Sequence, residues 1–221
     1  MPRRTALALL VVVAAVACRG ADSVDTTITR GPGASSAVEA VEELHDVLVD
    51  GDFAAASSLA MPGHAALASL AEGASSAEVT DALENGDAAI AANFWSGFAQ
   101  GYGEVLSGEI AVDDAGPATS SGVEFHLVNV TPDSGNARHL VTQDVDGHRI
   151  DLFASFGAGL ADRLISPVEI LVDTPAGDNA VILAALQGVV PSLLLAASDE
   201  TLSPEARQNV LKLVELITRV G

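Results

Sequence analysis

Residues Arg138 to Ala154 read RHLVTQDVDGHRIDLFA, and the reading of this stretch decides the fold. Arg138 to Val145 and His148 to Ala154 flank Asp146-Gly147, a two-residue turn suited to positive φ at both positions, so the pair is expected to form a tight hairpin. In that register Asp144 faces Arg149 and Thr142 faces Asp151 on one surface, while Val141 faces Leu152 and Gln143 faces Ile150 on the other. Upstream, Val123, Phe125 and Leu127 alternate with Glu124, His126 and Val128, and the run ends in the turn cluster Thr131-Pro132-Asp133-Ser134-Gly135-Asn136. That is a strand followed by a loop. The middle of the chain, from Glu109, is therefore an antiparallel sheet.

On either side of it the apolar period is helical. Ser36-Ala37-Val38-Glu39 is a capping box, and Val38, Val41, Leu44 and Leu48 follow at three- and four-residue spacing until Gly51 stops the helix. Asp52 caps a second short helix from Phe53 to Ala60, ended by Met61-Pro62-Gly63. Shorter helical turns are expected over Ala65 to Ala71 and Glu78 to Leu83. Asp87 to Tyr102 makes a longer helix whose Ile90, Phe94, Trp95 and Phe98 are core candidates. After the hairpin, Ser166-Pro167-Val168-Glu169 can cap a short helix, and Val168 to Val172 serves equally well as a strand. The uncharged run from Ala180 to Ala197 is at the lower limit for a membrane span. Gln187, Gly188 and Pro191 interrupt it and Asp199 and Glu200 follow, so two buried helical pieces bent at Pro191 are expected instead. Ser203-Pro204 opens the last helix, with Val210, Leu213, Val214 and Ile217 on one side.

The segment Ala40 to Leu59 (AVEELHDVLVDGDFAAASSL) resembles the opening helical hairpin of nuclear transport factor 2-like domains, in Val41, Leu44, Val47, Leu48 and the Gly51-Asp52-Phe53 corner. Asp146 to Leu152 resembles the closing hairpin of that fold. The resemblance covers roughly residues 36 to 156. It implies helices packed across a curved antiparallel sheet around a cone-shaped cavity, which in such domains binds small ligands, hosts catalysis or serves as core and dimer surface. The expected fold is thus α+β, a cone-like domain over 36–157 followed by a C-terminal helical hairpin, 158–221, packed on the same core.

Met1 to Ala17 combines Arg3 and Arg4 with an uncharged run from Thr5 through Val16, the pattern of a secretory signal peptide. It ends in Ala15-Val16-Ala17-Cys18, which resembles the lipobox of bacterial lipoproteins, where the cysteine thiol accepts a diacylglycerol. Cys18 is the sole cysteine. The resemblance implies cleavage after residue 17, acylation of Cys18 and a membrane partnership through acyl chains, with residues 18–35 as a flexible tether rich in Gly, Ser, Thr and Asp. Removing Arg3 and Arg4 takes two positive charges from the formal −20 and leaves −22. A body this acidic stands off an anionic lipid surface.

Composition excludes several functions. Ten Lys and Arg against 30 Asp and Glu, with Lys212 the only lysine, leave no basic patch for nucleic acid. One cysteine excludes an internal disulfide and a Cys-rich metal site. No Gly-x-Ser-x-Gly elbow or phosphate loop occurs, and no cofactor is implied. His45 and His64 read as surface histidines. The candidate ligand-binding residues are Glu124 and His126 on one strand face, with His139 opposite His126 if the hairpin closes across Pro132 to Asn136. The expected function is a non-catalytic, lipid-anchored extracytoplasmic binding or interaction module of the cell envelope. The alternatives are a ligand-binding or enzymatic cone around Glu124, His126 and His139, and an adaptor docking partners through the C-terminal helices.

Overall fold

A computed structural model describes residues 32–86, 88–105, 108–133 and 137–219; Cys18 and the signal segment lie outside the described residues. The protein is α+β and mostly helical. Helices α1 (Ala37–Asp50), α2 (Phe53–Leu59), α3 (His64–Ala68), α4 (Ser76–Asn85) and α5 (Ala88–Val105) precede four strands, and a 3-10 turn, Ser69–Glu72, joins α3 to α4. The strands β1 (Ile110–Ser120), β2 (Val123–Pro132), β3 (Arg138–Asp144) and β4 (His148–Ile150) form one antiparallel sheet in sequence order. Helices α6 (Leu152–Asp173), α7 (Asp178–Gly188), α8 (Val190–Ala197) and α9 (Pro204–Thr218) complete the chain. This is more than the helical hairpin expected there, and α6 begins before residue 158.

Local signals place the helix ends. The Ser36 hydroxyl accepts the Glu39 N–H, Asp52 Oδ1 accepts from Ala55, Ser203 Oγ accepts from Ala206, and Gly51 ends α1 in the left-handed conformation. Glu39 reaches back one residue further than a capping box does, to the backbone N–H and hydroxyl of Ser35. A complete box occurs instead at Ser75 and Glu78. The apolar run after Asp178 breaks into α7 and α8, bent by 48°, with Pro191 in the first turn of α8; among the described residues no single helix is long and apolar enough to cross a membrane.

Helix α1 lies across all four strands. Because strand side chains alternate, Val128, Val130, Leu140 and Ile150 enter the main core on the α1 side, whereas Phe125 and Val141 leave from the other face and meet Ala154 and Leu195. The stripe Leu160, Leu164, Val168 and Leu171 of α6 is buried, as are Val210, Leu213, Leu216 and Ile217 of α9, which packs on it. About 25 cal/mol per Å² of apolar surface removed from water favours this helical layer.

Three expectations need correction. The β3–β4 hairpin pairs Thr142 with Ile150, Gln143 with Arg149 and Asp144 with His148, one residue away from the register that a two-residue turn gives. Val145 joins Asp146 (φ 56°) and Gly147 (φ 99°) in a three-residue loop, and the slip turns Ile150 into the core. The second arm does not continue to Ala154: β4 ends at Ile150, and Asp151 Oδ1 accepts the Ala154 N–H at 2.9 Å as the N-cap of α6. Pro167 neither starts a helix nor leads a strand but lies inside α6. It deprives the Arg163 carbonyl of its helical partner, a cost the buried Leu160 to Leu171 stripe outweighs.

The tether expected through Ser35 ends earlier. Gly33 N–H donates to the Asp146 carbonyl, and Ala34 and His148 exchange both backbone hydrogen bonds at 2.9 and 3.0 Å. On the same edge of β4, Ala60 bridges Ile150, so the strand edge is covered. Gly33 sits so close to Gly147 that a Cβ on it would stand 2.6 Å from the Gly147 carbonyl carbon. Gly33→Ala is therefore expected to lower the unfolding free energy by about 1–3 kcal/mol, since backbone on both sides must move. Urea denaturation followed by circular dichroism measures this.

Candidate functional site

The three expected ligand residues are not brought together. Glu124 pairs with Thr119 and His126 with Thr142, both on the α1 face of the sheet. His139 pairs with Asn129 and belongs to the opposite face, beside Leu127 and Val141. Directly paired residues share a face, so the register itself separates His139 from the other two.

His126 finds other partners. Its Nε2 is 2.6 Å from Asp114 Oδ1, and its ring meets that of His148 edge-on at 5.8 Å. Asp114 stands at a bulge in β1 and also accepts the Gly116 N–H at 2.7 Å. The hydrogen bond from His126, then that from Gly116, holds the Asp114 carboxyl below its ordinary range. Among the described residues no three His, Cys, Asp or Glu side chains are grouped to hold a metal ion.

His45 and His64, expected at the surface, are buried. His45 Nε2 lies 3.2 Å from the Gly108 carbonyl and Nδ1 3.3 Å from the Tyr102 hydroxyl. The carbonyl only accepts, so the proton resides on Nε2 and Tyr102 donates to Nδ1. Burial pushes the Tyr102 phenol well above its usual range, which keeps it a neutral donor.

His64 belongs to a buried knot around Asp151, which is wholly inaccessible to solvent. Asp151 Oδ2 accepts from Gln143 Nε2 and from Ser192 Oγ, each at 2.6 Å, while Oδ1 caps α6 and lies 3.5 Å from His64 Nδ1. The neighbouring Arg149 is 4% exposed and donates to the Ser58 carbonyl. A Ser, a His and an Asp are thus adjacent, but the serine donates to the aspartate and bypasses the imidazole. A nucleophile needs the opposite order, serine to histidine to aspartate. The knot holds the structure together.

One of several surface cavities, of about 220 Å³, lies between α5 and α6 and has mainly apolar walls. Phe94, Phe98 and Tyr102 of α5 and Phe156 and Leu160 of α6 line it. Phe98 and Phe156 meet edge-on at 4.9 Å across it. Trp95 is fully buried behind this wall and donates through Nε1 to Ser57 Oγ at 3.0 Å. Arg163 on the rim is tied to Glu72 at 2.6 Å and to the Ala71 carbonyl, whereas the guanidinium of Arg138, also on the rim, makes no hydrogen bond or ion pair among the described residues. Apolar walls with a few placed polar groups are what a small-molecule site offers. The sequence marks Phe94 and Phe98 only as core candidates; Phe94 is buried as expected, whereas Phe98 keeps part of its ring on the cleft.

Comparison with protein-family models, with curated proteins and with solved structures finds nothing that matches this chain.

Two predictions follow from the polar groups. Asp151→Ala leaves the donors of Gln143 and Ser192 without an acceptor and removes the α6 cap, so a loss of about 3–5 kcal/mol in urea-measured stability is expected. Asp114 has a depressed folded-state pKa, so its contribution is present above the unfolded-state value and lost as pH falls through the folded one, in the acid range below about pH 4. A carboxyl titration by NMR should place Asp114 below an unperturbed aspartate in the native protein, and His126→Ala should move it back upward.

Proposed function

We propose that this chain is a lipid-anchored, extracytoplasmic, non-catalytic binding module of the bacterial cell envelope, built on a nuclear transport factor 2-like arrangement of helices across a curved sheet. The observation that carries the reading is the sole cysteine, Cys18, placed after Ala15-Val16-Ala17 at the end of an uncharged run. Two or three acyl chains there, at about 0.8 kcal/mol per buried methylene, anchor the protein stably. Thirteen residues lie between Cys18 and Pro32, a span of at most about 50 Å. The strap of Gly33 and Ala34 on the β3–β4 hairpin gives the anchored segment a fixed point of entry into the fold. The acidic body is repelled by anionic lipid, so the anchor sets its distance from the membrane.

Binding is the activity the geometry supports best, through the α5/α6 cleft with its aromatic walls and its cation. The cone of Glu124, His126 and His139 loses its support with the register of β2 and β3. Docking through the last helix loses support because its apolar stripe is spent on α6, with Leu211 left outside.

Intact-mass analysis of the mature protein from its native host tests the anchor. The expected product begins at Cys18 and carries the mass of attached acyl chains, while Cys18→Ser accumulates as an unprocessed, unacylated precursor. A mature wild-type chain with an unmodified Cys18 overturns the reading.

A further inference from the structure

Phe94, Phe98 and Tyr102 recur one turn apart along α5 and make a continuous row, with neighbouring ring centroids 5.6 and 6.0 Å apart. Eight helical residues rise about 12 Å, so the cleft beside the row is elongated. Three glycines, Gly97 and Gly101 on α5 and Gly159 on α6, also line it. A Cβ placed on any of the three would meet nothing within 4 Å. At Gly157, one turn away from the cleft on α6, a Cβ would come 3.0 Å from Ala196 Cβ, and helix packing explains the missing side chain. No neighbour within the fold explains the other three, although glycine weakens a helix interior. Charge adds an independent observation. The chain carries −20 formally, yet two guanidiniums stand on the rim of this apolar cleft, and among the described residues Arg163 is neutralised by Glu72 while Arg138 has no acidic partner.

We propose that the α5/α6 cleft binds a free straight-chain fatty carboxylate, its tail along the Phe94, Phe98 and Tyr102 row and its carboxylate on the Arg138 guanidinium. A row about 12 Å long takes an extended chain of about eight to ten carbons. The glycines let the methylenes approach the helix backbones, and the carboxylate supplies the bidentate partner that Arg138 lacks among the described residues. This rests on the reading of the chain as a binding module and names its ligand class.

Trp95 provides the probe, because it is the one tryptophan and its ring contacts Phe94 at 5.0 Å and Phe98 at 5.2 Å. Decanoate and decanol are titrated into the full-length protein held in phosphatidylcholine nanodiscs, and tryptophan emission is followed against empty nanodiscs. Wild type is expected to respond saturably to decanoate, at least about tenfold more tightly than to decanol, the margin of one charge-assisted hydrogen bond. Arg138→Gln should bring the two probes to equal affinity, and Gly101→Leu should abolish the saturable response. Gly97→Ala, a milder filling, should weaken decanoate binding while circular dichroism shows the melting temperature kept or raised. No saturable response to decanoate, equal affinity of wild type for both probes, or undiminished binding by a folded Gly101→Leu or Gly97→Ala variant overturns the proposal. Any of these with an acylated Cys18 leaves the anchored reading standing, whereas decanoate binding by a chain with an unmodified Cys18 separates the two the other way.

Discussion

The structure depends on one buried carboxylate. Asp151 stands where the sheet ends and α6 begins, and its two oxygens take hydrogen bonds from the Ala154 backbone, Gln143 on β3 and Ser192 on α8. Withdrawing a charge from water costs several kcal/mol, so such a group is tolerated only where its donors are already held in place. That requirement runs in both directions. Asp151 needs the sheet and α8 in their positions, and by accepting from both it fixes the angle at which α6 leaves β4. The helical layer of α8 and α9 is assembled on α6 and inherits that angle. The hairpin register follows from the same constraint. The observed pairing of Gln143 with Arg149 leaves Asp151 just beyond the strand, free to cap the helix while remaining within reach of the Gln143 amide.

A second constraint, the close approach of Gly33 to Gly147, joins the segment before α1 to the same hairpin. Two carbonyl-bearing backbones pass each other with no room for a side chain on either. The loop that looks in sequence like a freestanding two-residue turn is therefore shaped by a strand edge laid over it, and the Asp146 carbonyl accepts the Gly33 N–H of that edge. The three-residue loop and the slipped register are one event seen from two sides.

What was legible in the sequence was local. Ser36, Asp52 and Ser203 cap their helices because a side chain and an amide three residues on suffice, and Gly51 ends α1 because φ of +74° suits glycine. The break between α7 and α8 was legible for the same reason. Pro167 misleads because its local preference is overruled by a buried stripe that runs through it from Leu160 to Leu171. The turn Ser121-Gly122, both at positive φ, carries a signal for the β1–β2 hairpin, yet β1, the strand it closes, is too polar to declare itself by alternation. The candidate site failed on parity. Setting His139 opposite His126 and pairing it with Asn129 differ by three residues, and an odd shift sends every side chain of β3 to the other face. Glu124 and His126 kept their shared face because that relation is internal to one strand.

The cleft was illegible for a different reason: a glycine in a helical pattern looks the same whether a neighbour presses on it or nothing does. Only the assembled structure separates Gly157, which Ala196 crowds, from Gly97, Gly101 and Gly159, which face open space. The distribution of aromatic residues sharpens the contrast. The chain has eight, and Phe94, Phe98, Tyr102 and Phe156 all stand along this one cleft, with Trp95 behind them. Of the others, Phe153 and Phe125 are closed into the core among Leu, Val, Ile and Ala, and Phe94, Trp95 and Tyr102 are buried too. Phe98 and Phe156, by contrast, keep part of their rings on the cleft. Beside them stands the Arg138 guanidinium, without a partner among the described residues, and it is on this pair of features that the proposed apolar anion rests.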